Sequence, residues 1–368
     1  MLVGWLGPPQ AECNEVRLRE IAACHFNVVP PPCEGGHPDG NRAILELCSE
    51  LGLKAIVADS RLGPDHWETA RDAAQQVRLD YNNHPAIYGF VLDDEPPTGR
   101  FEQLAAVSDA VRDQWPAAHP LVCLLPNWAT PEQLGTESYT EHVARYLDTV
   151  RPSLFLFDHY ALFNEWENVA LLENLATVRQ LCAERDVRWG MALNSVAHFD
   201  YREPGEADLR WQAFSAIAYG ARAIIYYTYW TPPADFEAEA GYGDALMDRH
   251  GRPTSRYFAA QRVNADIVAW APLLVKLRSL SVHYDGQTQG EPPVTVASDG
   301  PTLVGIFEHE DDPSCLYAFV VNHDSRRRHS VAVTLHGKRS AIDVRTGASV
   351  GDVLDLAAGD AVLIQLFD

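Results

Sequence analysis

The chain has 368 residues, 46% hydrophobic and 22% charged; it exceeds the usual domain of about 100–200 residues and lies close to the globular average in composition, which excludes wholesale disorder. Its 29 basic and 51 acidic residues give a formal charge of −22, and such a surface repels phosphate backbones and anionic lipid, arguing against nucleic-acid and membrane partners. No apolar run approaches the roughly 18 consecutive residues of a transmembrane helix.

From residue 1 to about 280, short apolar runs alternate with amphipathic stretches. The predicted strands are Leu2–Gly7, Phe26–Pro30, Leu53–Asp59, Ile87–Asp93, Leu121–Pro126, Leu154–Asp158, Arg188–Asn194 and Ala223–Tyr229. Most end in Pro, Gly, Asn or Asp, as buried parallel strands followed by loops do. The predicted helices are Asn14–Cys24, Asp39–Leu51, Asp65–Asn82, Arg100–Gln114, Ser138–Val150, Val169–Arg185, Glu206–Tyr219 and Pro253–Leu280. Ser138 with Glu141 three residues on makes an N-terminal cap signal. Eight β/α units in this length predict a (β/α)8 TIM barrel over 1–280, an α/β fold.

After Leu280 the helical period stops. Val294–Ala297, Leu303–Glu308, Leu316–Asn322, His329–His336, Ala341–Val344 and Ala361–Phe367 read as short strands separated by turn pairs such as Asp299-Gly300 and Thr346-Gly347. They predict a small all-β sandwich domain over 281–368.

The cysteines Cys13, Cys24, Cys33, Cys48, Cys123, Cys182 and Cys315 are odd in number and never spaced C-x-x-C; neither a zinc knuckle nor a disulfide framework is expected. The segment Met1-Leu-Val-Gly-Trp5 lacks a basic region and a cleavage site, which reads as a cytoplasmic protein, or as a secreted one if a signal peptide has been removed.

In a (β/α)8 barrel the active site lies at the carboxyl ends of the strands. Strand four ends Val91-Leu-Asp93-Asp94-Glu95-Pro96-Pro97. Three consecutive carboxylates repel one another, and repulsion with partial burial raises at least one pKa toward the range a general acid needs. Alternation puts Val91, Asp93 and Glu95 on one face. Other strand ends are rich in aromatic, amide and imidazole groups. They supply Trp5, Asn127 and Trp128, then His159 and Tyr160 beside Asp158, and finally Asn194, Tyr229 and Trp230. Flat rings stack on the C–H faces of sugars while amides and imidazoles bond hydroxyls, so the combination reads as a carbohydrate site.

The Asp94-Glu95-Pro96 element resembles the Asn-Glu-Pro or Asp-Glu-Pro element of clan A glycoside hydrolases. Leu209-Arg-Trp-Gln-Ala-Phe-Ser-Ala-Ile-Ala-Tyr-Gly-Ala-Arg-Ala-Ile-Ile-Tyr-Tyr-Thr-Tyr-Trp230 is similar to the helix-seven-to-strand-eight stretch of β-galactosidase-like barrels. So are Gly251-Arg-Pro-Thr-Ser-Arg-Tyr257 with Val263-Asn264, and the tail around Asp343-Val-Arg-Thr-Gly347. The resemblance implies a glycosidase in which Glu95 is the general acid/base.

One departure stands against it. That clan places a nucleophilic Glu at the end of strand seven, whereas this strand ends Leu193-Asn194-Ser195-Val196. Asp158 is then the first choice for the second carboxylate, with Asp235 or Glu237 next; the separation of the pair would distinguish inversion from retention. Alternatively, Asp94 orients a 2-acetamido group that attacks its own anomeric carbon while Glu95 is the acid, as the resembling Asp-Glu pair of hexosaminidases implies. A third reading is a non-catalytic carbohydrate-binding barrel. A metal-dependent barrel using Asp93, Glu95, Asp158 and His159 is the outside alternative, although no H-x-H or H-E-x-x-H occurs. The expectation is a glycosidase without cofactor or metal; the sequence is silent on oligomeric state.

Overall fold

The computed structural model describes residues 1–286, 291–337 and 340–368. Eight parallel strands close into a barrel in chain order: β1 (Leu2–Trp5), β2 (Val28–Val29), β3 (Lys54–Ala58), β4 (Ile87–Asp94), β5 (His119–Leu124), β6 (Leu154–Asp158), β7 (Arg188–Asn194) and β8 (Ala223–Tyr227). Closure comes from β1 pairing with β8, Val3 opposite Ile225 and Trp5 opposite Tyr227. The helices that alternate with them are α1 (Glu15–Ala23), α2 (Pro38–Leu51), α3 (Ala70–Tyr81), α4 (Phe101–Gln114), the single turn α5 (Pro131–Leu134), α6 (Tyr139–Val150), α7 (Ala170–Ala183), α8 (Glu206–Ala218) and α9 (Ser255–Leu274). Local signals set their ends. The Asn14 side chain accepts from Val16 and Arg17 N–H at the start of α1, Ser138 accepts from Glu141 N–H at the start of α6, and left-handed Gly52 closes α2.

The chain divides into two compact units, Met1–Glu203 with Ala223–Phe258, and Pro204–Arg222 with Ala259–Asp368. In the first, the barrel interior is filled by Val3, Val28, Ile56, Leu121, Leu154, Leu156, Ala192, Ala223 and Ile225, the layered filling that makes such a barrel a core and not a pore. Period-two alternation then fixes what stands one pleat above the upper layer: Trp5 follows Val3, Cys123 follows Leu121, Asp158 follows Leu156 and Tyr227 follows Ile225.

Gly190 on β7 permits close approach to β8. A Cβ there would lie 2.3 Å from the Ala223 Cβ and 2.6 Å from its carbonyl oxygen, inside any tolerable contact. Gly190→Ala is therefore expected to cost about 1–3 kcal/mol by overpacking, read as a lower denaturation midpoint.

The second unit carries two antiparallel sheets. One has the order β14 (Ser340–Asp343), β16 (Ala361–Phe367), β12 (Asp312–Asn322), β11 (Thr302–His309), β9 (Leu277–Tyr284); the other is β10 (Val294–Ser298), β13 (His329–Leu335), β15 (Val353–Leu356). Val304, Ile306, Val320 and Ile364 of the larger sheet share one core with Val294, Val331 and Leu356 of the smaller, which makes a sandwich. On the larger sheet's other face Phe319 meets Trp270 edge-on at 5.1 Å and Phe214 at 6.0 Å. The last helix ends at Leu274, short of the expected Leu280, because Leu277–Tyr284 pairs antiparallel with β11 as a strand.

Candidate active site

A cavity of about 330 Å3 opens at the carboxyl end of the barrel. Its floor is the apolar layer Val3, Ile56, Val91, Leu121, Leu156, Ala192 and Ile225, and its polar wall includes Asp93, Asp94, Glu95, Asp158 and Glu237. This is the concave, mostly apolar shape with a few convergent polar groups expected of a small-molecule site.

The acidic wall is shaped by a bulge. In the β4–β5 ladder Val91 lies opposite Leu121, but Asp93 opposite Val122 and Asp94 opposite Cys123, so Leu92 is an extra residue. The simple alternation expected from the sequence is thereby shifted by one place, and Asp94 takes the register of inward-facing Cys123. Asp93 is held sideways by Arg100, whose Nε is 3.1 Å away, and it accepts a bond from Asp94 N–H at 3.0 Å. Glu95 then turns sharply. Its N–H donates to the Cys123 carbonyl at 2.8 Å and its φ is +48°, a left-handed conformation costly for a side chain with Cβ. Phe199 (φ +46°) and Glu237 (φ +40°) also line the cavity in this region. Three non-glycine residues in strained backbone around one cavity is the pattern of a functional site.

The Glu95 and Asp158 side chains both line the cavity, within reach of one another. Asp158, 4% exposed, has its pKa driven far above the carboxylate range by burial and then by the charges of Glu95 and Asp94. Glu95, open to the cavity, is raised by burial among protein atoms and by Glu237, while its interaction with Asp158 pulls it down. Burial and the neighbouring charges therefore favour the protonated form across this pair above the usual carboxylate range. Asp94 is pushed up to about 7 by burial first, then by Glu95, Asp93 and Glu237.

That places a stability cost on Asp94. Its folded pKa of about 7 lies above the ordinary 3.8, so the unfolded chain releases this proton first, and stability falls as pH rises between those values. The full difference is about 4 kcal/mol, which solvent in the open cavity screens to about 1–2 kcal/mol. Asp94→Asn is expected to raise the free energy of unfolding at pH 8 by that amount, read as a higher denaturation midpoint, and to leave it unchanged near pH 4.

Glu237 stands on the long loop after β8. Its carboxylate accepts a bond from the Tyr242 hydroxyl at 2.9 Å, and that hydroxyl lies 2.6 Å from the Tyr227 hydroxyl. Tyr160 stacks on Tyr227 at 5.3 Å, and Tyr201 meets Tyr160 edge-on at 5.8 Å. Trp5, Tyr160 and the half-exposed Trp128 line the same cavity.

The other sequence-derived candidates lie outside this lining. The Asn127 N–H donates to Asn174 Oδ1 at 2.9 Å, and the His159 Nδ1 meets the same oxygen at 3.0 Å. Asn174 in turn donates to the Tyr139 hydroxyl at 2.8 Å, so the set forms a buried network beside the strand ends. Burial lowers the His159 pKa to about 4, which keeps the ring neutral. Asn194 is buried and accepts from Val196 N–H at 3.3 Å. Tyr229 packs edge-on against Phe26 at 5.9 Å, and Trp230 lies under the Arg17 guanidinium at 5.4 Å. Asp235 is exposed outside the lining. Conversely, His198, Phe199, Tyr201 and Tyr242 line the cavity from the loops after β7 and β8, where the only sequence signal is aromatic enrichment in long loops. Among the described residues no group of three or more His, Cys, Asp or Glu is arranged to hold a metal ion, and no helix is long and apolar enough to cross a membrane.

Neither a scan of known protein families nor a comparison with curated proteins matches this sequence. Solved structures do match the fold. A catalytic mutant of a GH42 β-galactosidase from G. stearothermophilus aligns over 100% of this chain and 98% of its own, with a TM-score of 0.68 at 10% identity. A β-galactosidase from Bacillus circulans sp. alkalophilus covers 99% of both chains at TM-score 0.66 and 8% identity. A family 39 glycoside hydrolase from Bacteroides cellulosilyticus WH2 covers 100% of this chain and 80% of its own, at TM-score 0.56 and 12% identity. The barrel-plus-sheet architecture is thus one that glycoside hydrolases use.

Proposed function

We propose that this chain is a glycoside hydrolase that cleaves an O-glycosidic bond of a neutral sugar held in the barrel cavity, with Glu95 as general acid/base. The observation that carries the reading is the convergence of Glu95, Asp158 and Glu237 with Trp5, Trp128 and Tyr160 on one cavity at the carboxyl end of the barrel. Glu95 gives its proton to the glycosidic oxygen as the C–O bond breaks, Asp158 supports the transfer, and water supplies the hydroxyl at the anomeric carbon and returns a proton. The architecture shared with β-galactosidases and a family 39 glycoside hydrolase supports the same class of substrate.

Asp158, in contact with Glu95, is nearer to it than the roughly 5–5.5 Å or 6.5–9.5 Å that separate carboxyls flanking a glycosidic bond. The second catalytic carboxylate in this proposal is therefore Glu237, whose charge acts on both Glu95 and Asp94. Asp94 supports a second reading, in which its carboxylate orients an acetamido group on the substrate. A panel of p-nitrophenyl α- and β-glycosides of galactose, glucose, mannose, xylose and N-acetylhexosamines separates the two. Turnover confined to N-acetylhexosaminides selects the acetamido mechanism, and turnover of 2-hydroxy sugars selects the two-carboxylate one. Sugar binding with no turnover would leave a binding barrel.

A further inference from the structure

Aromatic rings continue past the cavity. Tyr201 lines it, Phe163 lies 4.8 Å from Tyr201, and Trp166 stacks on Phe163 with centroids 4.5 Å apart and planes within 4°. Trp166 is nevertheless 52% exposed; with one face against Phe163, its other face is open to solvent.

The segment that holds it is stiffly built. Leu162 bridges Glu167, and Phe163 bridges Tyr201. The Asn164 N–H donates to the Asp200 carbonyl at 3.0 Å, and the Arg202 N–H to the Leu162 carbonyl at 2.9 Å. The Arg202 guanidinium donates to the Phe163 carbonyl at 3.0 Å and to the Glu167 carboxylate at 2.7 Å. These bonds tie the loop after β6 to the loop after β7 and fix the outward display of the indole. A ring fixed in place loses little entropy when a flat partner lands on it, the condition for efficient recognition.

We infer that Trp166, backed by Phe163, is a sugar-binding platform that takes a further unit of an oligosaccharide whose neighbouring unit occupies the cavity. The occupant follows from continuity: Tyr227, Tyr160, Tyr201, Phe163 and Trp166 form one path of ring contacts from the Glu237 side of the cavity outward, and the C–H faces of pyranose rings are the partners such a path accommodates. This inference rests on the glycosidase reading and narrows it to substrates of two or more sugar units.

The test compares wild type with Trp166→Ala, Trp166→Gln and Trp166→Phe. It uses the p-nitrophenyl glycoside cleaved best in the panel and the tetrasaccharide of the same sugar. The ratio of kcat/KM on the tetrasaccharide to that on the aryl glycoside is expected to fall about tenfold or more in the Ala and Gln variants, and to recover in the Phe variant. A ratio within twofold of wild type in folded Ala and Gln variants overturns the platform and leaves the glycosidase reading intact. If wild type releases no sugar, the glycosidase reading fails, and titration calorimetry with galacto-, cello-, manno-, xylo- and chitotetraose still decides the platform. Binding weakened about tenfold by Trp166→Ala supports it; unchanged binding, or none by wild type, overturns it.

Discussion

Glu95→Gln is expected to lower kcat on the best glycoside by about 10²–10⁴, the range for a general acid/base, with KM within a few-fold of wild type. Gln keeps the shape of the side chain and can still meet Asp158, but it has no proton to give to the leaving oxygen. The residue faces the open cavity, so the variant should fold as wild type does. Steady-state kinetics with a melting curve checks this, and kcat within threefold of wild type in a folded variant would remove Glu95 from the chemistry. The raised carboxyl pair adds a pH signature. The acid form works, so wild-type turnover should fall as pH rises through the raised titration of the Glu95–Asp158 carboxyls.

Glu237→Ala is expected to cost a comparable factor, about 10²–10⁴ in kcat, because it removes the carboxylate proposed to act on the other side of the sugar. Its surroundings give the prediction a second readout. The Tyr242 hydroxyl, itself close to that of Tyr227, donates to Glu237; Tyr242→Phe should therefore lower kcat by a smaller factor, about tenfold, through loss of one charge-assisted bond. Sodium azide should restore part of the Glu237→Ala turnover, since a small anion fits the space the carboxylate leaves. Full turnover in Glu237→Ala without azide would move the second function elsewhere, with Asp94 as the next group to vary.

The barrel was legible because eight apolar runs alternated with amphipathic ones, and buried parallel strands leave that record. Its finer features depend on tertiary pairing. Phe26–Pro30 yields only Val28–Val29 as ladder, since the prolines that follow have no N–H to donate. In the sandwich, β9 emerges from a segment read as the end of a helix because β11 supplies its partner. At the site, the carboxylates of strand four were visible as charge where an apolar strand ends, whereas the bulge at Leu92 that turns Asp94 inward leaves no mark in alternation. The same geometry separates neighbours: Asp158 points into the barrel while adjacent His159 joins the Asn174 network outside it. Glu237, Tyr242 and Phe199 reach the cavity through the paths of long loops, which no local period encodes.

The most direct test of the account is wild-type hydrolysis of the glycoside panel followed by ¹H NMR of the anomeric protons. The account predicts release of free sugar from at least one glycoside, appearing first as a single anomer and absent with Glu95→Gln. Unchanged spectra across the panel, from folded protein that binds those same sugars, would contradict hydrolysis at this cavity.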